Sequence, residues 1–186
     1  MWPVLQSFAK PGSWRYPSAE ELRAETYLSL AAGAKGVFYF LYQTMPNHPE
    51  RLEGLIDPDG KPTPMYAPTS ALARELARLS PLLLPVRRLR FVEARAPDRC
   101  AGCARRSSTA RCAWGALWMV KAARFGSWPA RAPTGRSPPA AGGPVRIGTA
   151  ADGEWRDALT GEVLAAREGT LTVTLAAGGG RALVRQ

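Results

Sequence analysis

The sequence predicts an α/β segment followed by a small, incomplete all-β domain, with a stretch of unlike composition between them. Two patterns and one break in pattern predict this. Strand-like and helix-like segments alternate as β-α-β-α up to about residue 85. Period-two alternation marks residues 154–186. Between them, residues 95–153 keep neither period, and 41 of these 59 residues are Ala, Arg, Gly, Pro or Ser. The expected organisation is an α/β part over 1–85, a first strand of the β domain over 86–94, an irregular basic segment over 95–153, and β-hairpins over 154–186.

The elements follow in order. Trp2 to Phe8 is short and mostly apolar, which reads as a strand, and the turn-rich Lys10-Pro11-Gly12-Ser13 ends it. Ser18 and Glu21, three residues apart after Pro17, make a capping box. The serine oxygen accepts from the Glu21 amide while the glutamate reaches back. Ala24, Tyr27, Leu28 and Ala31 then share one helical face, and Gly33 is placed to stop the helix. The run from Val37 to Tyr42 is apolar or aromatic throughout. Such a strand is expected to be buried on both faces, as in a parallel sheet covered by helices. Strand, helix and strand with short links form a βαβ unit.

A long loop is expected from Gln43 to Tyr66, with Asp57-Pro58-Asp59-Gly60 as its turn. A second helix is expected over Pro68 to Ser80, with Leu72, Leu76 and Leu79 on one stripe and Pro81 and Pro85 ending it. In the last part, Leu171-Thr172-Val173-Thr174-Leu175 alternates with period two. Gly178-Gly179-Gly180 is expected to turn that strand into Ala182-Leu183-Val184. Leu159-Thr160-Gly161-Glu162 is a second turn, flanked by Trp155 and Val163.

The formal net charge is +10, but it is unevenly placed. Residues 1–94 carry 11 Lys/Arg against 9 Asp/Glu, residues 95–153 carry 10 against 2, and residues 154–186 carry 4 against 4. The basicity therefore belongs to the middle block and not to the whole chain. Nucleic-acid binding by that block is conceivable through phosphate contacts and stacking, yet no nucleic-acid fold motif accompanies it, and it is not the expected partner. The block also holds the three cysteines, Cys100, Cys103 and Cys112. Structural zinc takes four ligands and no fourth is nearby, so no metal is assigned, and no cofactor. Wrong-frame translation of GC-rich coding sequence yields mainly Ala, Arg, Gly, Pro and Ser. We therefore read residues 95–153 as an out-of-frame or disordered insertion between two ordinary segments. No run of apolar residues is long enough to span a membrane. The start, MWPVLQSFAKPGSW, has no signal-peptide pattern, so the chain as written is expected in the cytoplasm.

The strings WPVLQSF, YPSAEELRAETYLSLAAGAKGVFYFLY and GLIDPDGKPTPMYAPTSALARELARLSPLL together resemble the end of the barrel in clan-A TIM-barrel glycoside hydrolases. The likeness is nearest to β-galactosidase-like enzymes of the family 42 type. DALTGEVLAAREGTLTVTLAAGGGRALV resembles the last strands of the small C-terminal β-sandwich of such enzymes. The resemblance implies that WPVLQSF is strand seven, that GAKGVFYFLY is strand eight, and that the helix with LARELARL closes the barrel. Chemistry in these enzymes uses two carboxylates. The resemblance places them at the ends of strands four and seven. Strand four would lie before Met1, and strand seven ends here in Gln6-Ser7-Phe8, without a glutamate. No catalytic residue is therefore assigned, and the chain is expected to be an inactive fragment of a hydrolase-like protein. Two strands leave an uncovered face, so it is expected to be marginally stable or aggregating alone. A non-catalytic carbohydrate-binding remnant is the alternative, and a basic nucleic-acid-binding protein the second alternative.

The resemblance implies a carbohydrate partner. Gln6 lies at the strand end where TIM-barrel sites form, so it can bond a sugar hydroxyl or simply satisfy backbone. Trp14, with Tyr16 in the same loop, can stack on a sugar ring or pack the loop. Tyr42 is the better placed of the two strand-eight tyrosines, Tyr39 being read as core. Gln6, Trp14 and Tyr42 are the candidate substrate-binding residues. Glu20, Glu21 and Glu25 cap a helix and favour its dipole, and are rejected as acids. Asp57 and Asp59 are turn formers, and His48 is read as solvated. No oligomeric state is assigned, and the location of longer relatives is left open.

Overall fold

The computed structural model of the protein describes residues 2–85, 117–121, 143–149, 151–176 and 178–186. They belong to two compact units, Met1–Leu89 and Arg90–Gln186. The fold is mixed α/β and mostly β, with two helices. The expected strand over 86–94, the three cysteines and most of the basic block lie outside the described residues.

In the first unit, β1 (Val4–Gln6) and β2 (Phe38–Phe40) pair in parallel, with Val4 opposite Phe38, Leu5 opposite Tyr39 and Gln6 opposite Phe40. The helix α1 (Ala19–Ala31) makes the crossover. Its start is local chemistry: the Glu21 amide donates to Ser18 Oγ at 3.2 Å and the Ser18 amide to the Glu21 carboxylate at 2.8 Å. Arg15 clamps the same carboxylate through both terminal nitrogens at 2.6 and 2.7 Å. The helix ends where Gly33 takes φ +91°, a left-handed conformation that costs glycine little. Leu22, Ala24, Thr26, Tyr27 and Leu30 are its buried residues, while Leu28 and Ala31 of the expected face are only half-buried.

Side chains alternate across a strand, so Leu5 and Tyr39 share one face. That face turns to α1: Leu5 is buried and the Tyr39 hydroxyl lies 3.0 Å from Thr26 Oγ1. The other face carries Val4, Gln6, Phe38 and Phe40. Val4 is 64 % exposed and Phe38 55 %. The expectation that the second strand is buried on both faces is therefore wrong. An apolar run signals two covered faces only when elements pack on both, and here a helix packs on one. Trp2 lies on this open side beside Phe38, at 5.5 Å between ring centroids. It sits hard against Gly36, where an added Cβ would come within 2.3 Å of the indole.

The segment 43–65 is a folded-back loop. Met45 bridges Leu52, Gln43 bridges Ile56, and Ile56 bridges Pro62. Its turn forms as expected: Asp57 Oδ1 accepts from the amides of Asp59 and Lys61 at 2.9 and 2.7 Å. The helix α2 (Tyr66–Leu83) runs further than Ser80, with Pro81 inside its last turn. A proline this near the end forfeits one hydrogen bond without breaking a long ladder. Lys35 then caps the far end, its Nζ donating to the Leu83 carbonyl at 2.7 Å.

The second unit is antiparallel. β3 (Leu117–Lys121), β8 (Gly180–Arg185), β5 (Gly153–Asp157) and β6 (Val163–Ala166) form a four-stranded sheet in that order. β4 (Gly143–Gly148) and β7 (Thr170–Leu175) pair as a second sheet. One core joins the two sheets, with Val145, Ile147, Leu171, Val173 and Leu175 from one and Trp155, Ala166 and Leu183 from the other. β3 and β4 fall inside the block expected to be irregular. The alternation Val145, Ile147 is too short to register as a period, yet it matches Val173 and Leu171 across the ladder.

The turn at 159–161 links β5 and β6 as expected, organised by Asp157 Oδ1, which accepts from the Leu159 and Thr160 amides at 2.8 and 3.0 Å. The Gly178–Gly180 segment does not close a hairpin. β7 pairs with β4 and β8 with β3 and β5, so the glycines carry the chain from one sheet to the other.

Candidate functional site

The ends of parallel strands where the carbonyls point outward are where α/β folds build binding sites. At that end of β1 and β2 the chain assembles an aromatic group. Phe8 stands edge-on to Trp14 at 5.8 Å and to Phe40 at 5.5 Å between centroids. Phe8 is buried with Leu41 and Leu52 beneath it. Trp14 is 54 % exposed and Phe40 41 %. The Phe40–Leu41 peptide bond is cis.

Local chemistry holds Trp14 in place. Lys10 to Trp14 is a tight loop in which the Lys10 amide donates to the Trp14 carbonyl at 2.8 Å and the Trp14 amide to the Lys10 carbonyl at 2.9 Å. Gly12 supplies the left-handed step at φ +77°. The Lys10 ammonium lies over the Trp14 ring at 5.7 Å and 3.1 Å from the Glu50 carboxylate. The ring thus carries a cation over it, and that cation is paired with Glu50.

Gln6 is held by backbone. Its Nε2 donates to the carbonyls of Phe8 at 2.9 Å and Arg15 at 3.1 Å, which anchors the loop that carries Trp14. Its Oε1 accepts no hydrogen bond among the described residues. Tyr42 is 62 % exposed, two residues beyond Phe40. Its carbonyl accepts from the Ile56 amide at 2.8 Å, which ties its backbone to the folded-back loop. Gln6 and Trp14 are brought together through Arg15 and Phe8. Tyr42 follows on the strand that carries Phe40.

The loop 43–65 is pinned to the strand end by a reciprocal pair of bonds, Ala9 amide to Glu53 carbonyl at 3.0 Å and Glu53 amide to Ala9 carbonyl at 2.9 Å. Tyr16 turns away from the aromatic group, its hydroxyl donating to the Gly54 carbonyl at 3.2 Å. Burial raises its pKa, a hydrogen bond with Thr63 opposes that, and the Glu53 charge adds to it. Tyr39 is raised for the same first reason, burial, against a hydrogen bond from Thr26.

Phe8, Lys10, Phe40 and Glu50 were not singled out in the sequence. Phe8 and Trp14 meet through the local Lys10–Trp14 loop, whereas Phe8 and Phe40 meet because β1 and β2 pair in parallel, and no local pattern reports that second contact. Among the rejected acids, Glu21 is occupied by Ser18 and Arg15, and Asp57 by its own turn. His48 is exposed and accepts from the Glu50 amide at 3.1 Å.

No protein-family model matches the chain, and no curated protein matches it significantly. Among the described residues no cluster of three His, Cys, Asp or Glu is placed to hold a metal ion, and no helix is long and apolar enough to cross a membrane. The arrangement offers an exposed indole, a neighbouring phenyl ring, and polar groups of both signs within one loop system. That combination suits a ligand with an apolar face and a hydroxylated edge.

Proposed function

We propose that the chain carries the closing (βα)₂ part of a TIM-barrel, glycoside-hydrolase-like protein, and that this part binds carbohydrate without itself supplying a catalytic carboxylate. The observation that carries the binding reading is the exposed Trp14 at the outward-carbonyl end of a parallel strand pair, set against Phe8, with the Glu50-paired Lys10 ammonium over its ring. A pyranose ring has an apolar face of C–H groups and a polar edge of hydroxyls, and an aromatic ring with flanking hydrogen-bonding groups complements both. Gln6 Oε1 offers an acceptor in the same loop system.

The barrel part of the reading draws on the parallel β1–α1–β2 crossover and on its open face. Parallel sheets occur with both faces covered. In a barrel the face opposite the helices is filled by layers of inward side chains, the role this reading gives to Val4, Phe38 and Phe40. The sugars expected by resemblance are β-linked.

The test is titration of the full chain with β-linked galacto-oligosaccharides, followed by calorimetry. Binding that falls about five- to tenfold in Trp14→Ala and by a smaller factor in Tyr42→Ala is the expected outcome, since losing a stacking face removes about 1–1.5 kcal/mol. No binding by the parent chain, or parent-like binding by Trp14→Ala, overturns the reading. Hydrolysis of the same sugars by the chain alone overturns the statement that it lacks the catalytic pair.

A further inference from the structure

A second concavity of about 430 Å³ lies on the outer surface of the antiparallel unit. Arg146 on β4, Thr170 and Thr172 on β7, Leu164 on β6, and Arg167 with Glu168 beside the β6–β7 turn line it. The ladder explains the opening. Arg146 stands across from Thr172, and Gly148 across from Thr170. Gly148 has no side chain, and nothing lies within 4 Å of where a Cβ would stand. The turn places Arg167: its amide and that of Thr170 exchange hydrogen bonds with each other's carbonyls at 2.9 Å, and Glu168 and Gly169 both take positive φ. That is the two-residue hairpin geometry that follows strand twist.

The two arginines are chemically unspent. Neither Arg146 nor Arg167 makes an ion pair or side-chain hydrogen bond among the described residues. Arg181 of the same unit, in contrast, meets both Asp157, at 3.5 Å, and Glu162. Two guanidinium groups without partners among the described residues, two threonine hydroxyls and an apolar edge from Leu164 therefore share one hollow.

We propose that this groove is an oxyanion site for a small, hydroxylated monoanion, the two guanidinium groups taking the oxyanion and the threonine hydroxyls its neighbouring hydroxyl groups. Guanidinium matches carboxylate and sulfate in planar, two-point geometry. Glu168 at the rim leaves a single net positive charge. That charge is neutralised by one oxyanion and leaves no attraction for a second, so the groove gains nothing from a polyanion such as nucleic acid. A uronic acid and a sulfated sugar share this chemistry. The inference stands on the second unit alone and does not depend on the reading of Trp14.

The experiment is calorimetric titration of the full chain with glucuronate, glucose 6-sulfate, glucose and inorganic sulfate. Glucuronate or glucose 6-sulfate binding, with glucose silent, is the expected result, and the stronger of the two identifies the source of the oxyanion. Arg146→Gln and Arg167→Gln each weaken it about tenfold, the size of one charge-assisted hydrogen bond. Thr172→Val weakens the sugar anions and leaves inorganic sulfate unchanged. Arg156→Gln, an exposed arginine outside the groove, leaves all four unchanged and controls for net charge. Glucose binding as well as glucuronate overturns the proposal. So does inorganic sulfate binding more tightly than either sugar anion, or unchanged binding in the Arg146→Gln/Arg167→Gln double variant with parent-like folding by circular dichroism.

Discussion

Arg23 on α1 and Glu75 on α2 form a two-point ion pair, with Nη1 and Nη2 at 2.7 and 2.6 Å from the two carboxylate oxygens. The Tyr27 hydroxyl donates to the same carboxylate, and the Arg23 guanidinium lies over the Tyr27 ring at 5.0 Å. The residues are 52 positions apart in sequence, so the pair fastens the two helices of the first unit to each other. Glu75 retains only 18 % side-chain exposure and Arg23 33 %.

Removing Glu75 takes away the carboxylate that a half-buried guanidinium and a buried tyrosine share. Glu75→Ala is expected to lower the stability of the first unit by about 2–3 kcal/mol, below the range for a fully buried pair because Arg23 still reaches water. Glu75→Gln keeps an acceptor for Tyr27 and loses less. Urea denaturation of the three proteins, monitored by far-UV circular dichroism, checks the order.

Glu21 gives a pH dependence with a definite sign. The hydrogen-bonded Arg15 guanidinium holds its carboxyl below the ordinary value of 4.5, burial opposes this, and the Ser18 amide and the Arg15 charge assist it. A folded-state pKa below the unfolded one means that the folded chain favours the carboxylate. The contribution is therefore fully present above the unfolded value and is lost as pH falls through it and on through the folded one. Melting temperatures of the parent and Glu21→Gln are expected to differ at neutral pH and to converge in acid. A gap that widens in acid contradicts this sign. Ser18→Ala removes the other half of the cap and is expected to cost about 1 kcal/mol at neutral pH.

Ser7 is fully buried, and its hydroxyl has no hydrogen-bond partner among the described residues. An unsatisfied buried hydroxyl carries a desolvation penalty without return. Ser7→Ala is thus expected to be neutral or stabilising, by up to about 1 kcal/mol. A loss of more than that in chemical denaturation would show that the hydroxyl has an acceptor in solution.

In the second unit, Leu183 is fully buried in the shared core, while Val163 is 48 % exposed. Leu183→Ala is expected to cost about 2–5 kcal/mol through lost burial and a residual cavity. Val163→Ala is expected to stay within about 0.5 kcal/mol. Hydrogen-exchange protection of the β7 and β8 amides reports both.

A genetic prediction concerns the middle block. Val145 and Ile147 sit in register with β7, so regular sequence has resumed by Gly143. If the block is out of frame, translating the gene's other two frames before that point is expected to yield alternating, strand-like sequence in one of them. Failure in both frames sinks the idea.

Much of the local structure was legible because its chemistry is local. Ser18 and Glu21 are three residues apart, and their capping box needs nothing else. The Asp57 and Asp157 turns close on amides two to four residues away. The site was legible only in pieces. Trp14 and Tyr42 stand out as aromatics near strand ends, but Phe8, which packs against Trp14, and Phe40, which packs against Phe8, read as ordinary core.

The sequence by itself determined where the first helix begins, where the Asp57 and Asp157 turns fall, and which residues of a strand share a face. Those are consequences of backbone geometry over a few residues. Tertiary structure alone decided which strands pair. The alternation in Leu171–Leu175 says that Leu171, Val173 and Leu175 point one way, and it is equally compatible with a hairpin to β8 or a ladder with β4. The choice rests on long-range burial against Val145 and Ile147. The same is true at β1 and β2. Apolar composition announced strands, but only their parallel pairing, with a helix on one side, left the opposite face open and gathered Phe8, Trp14 and Phe40 at one end.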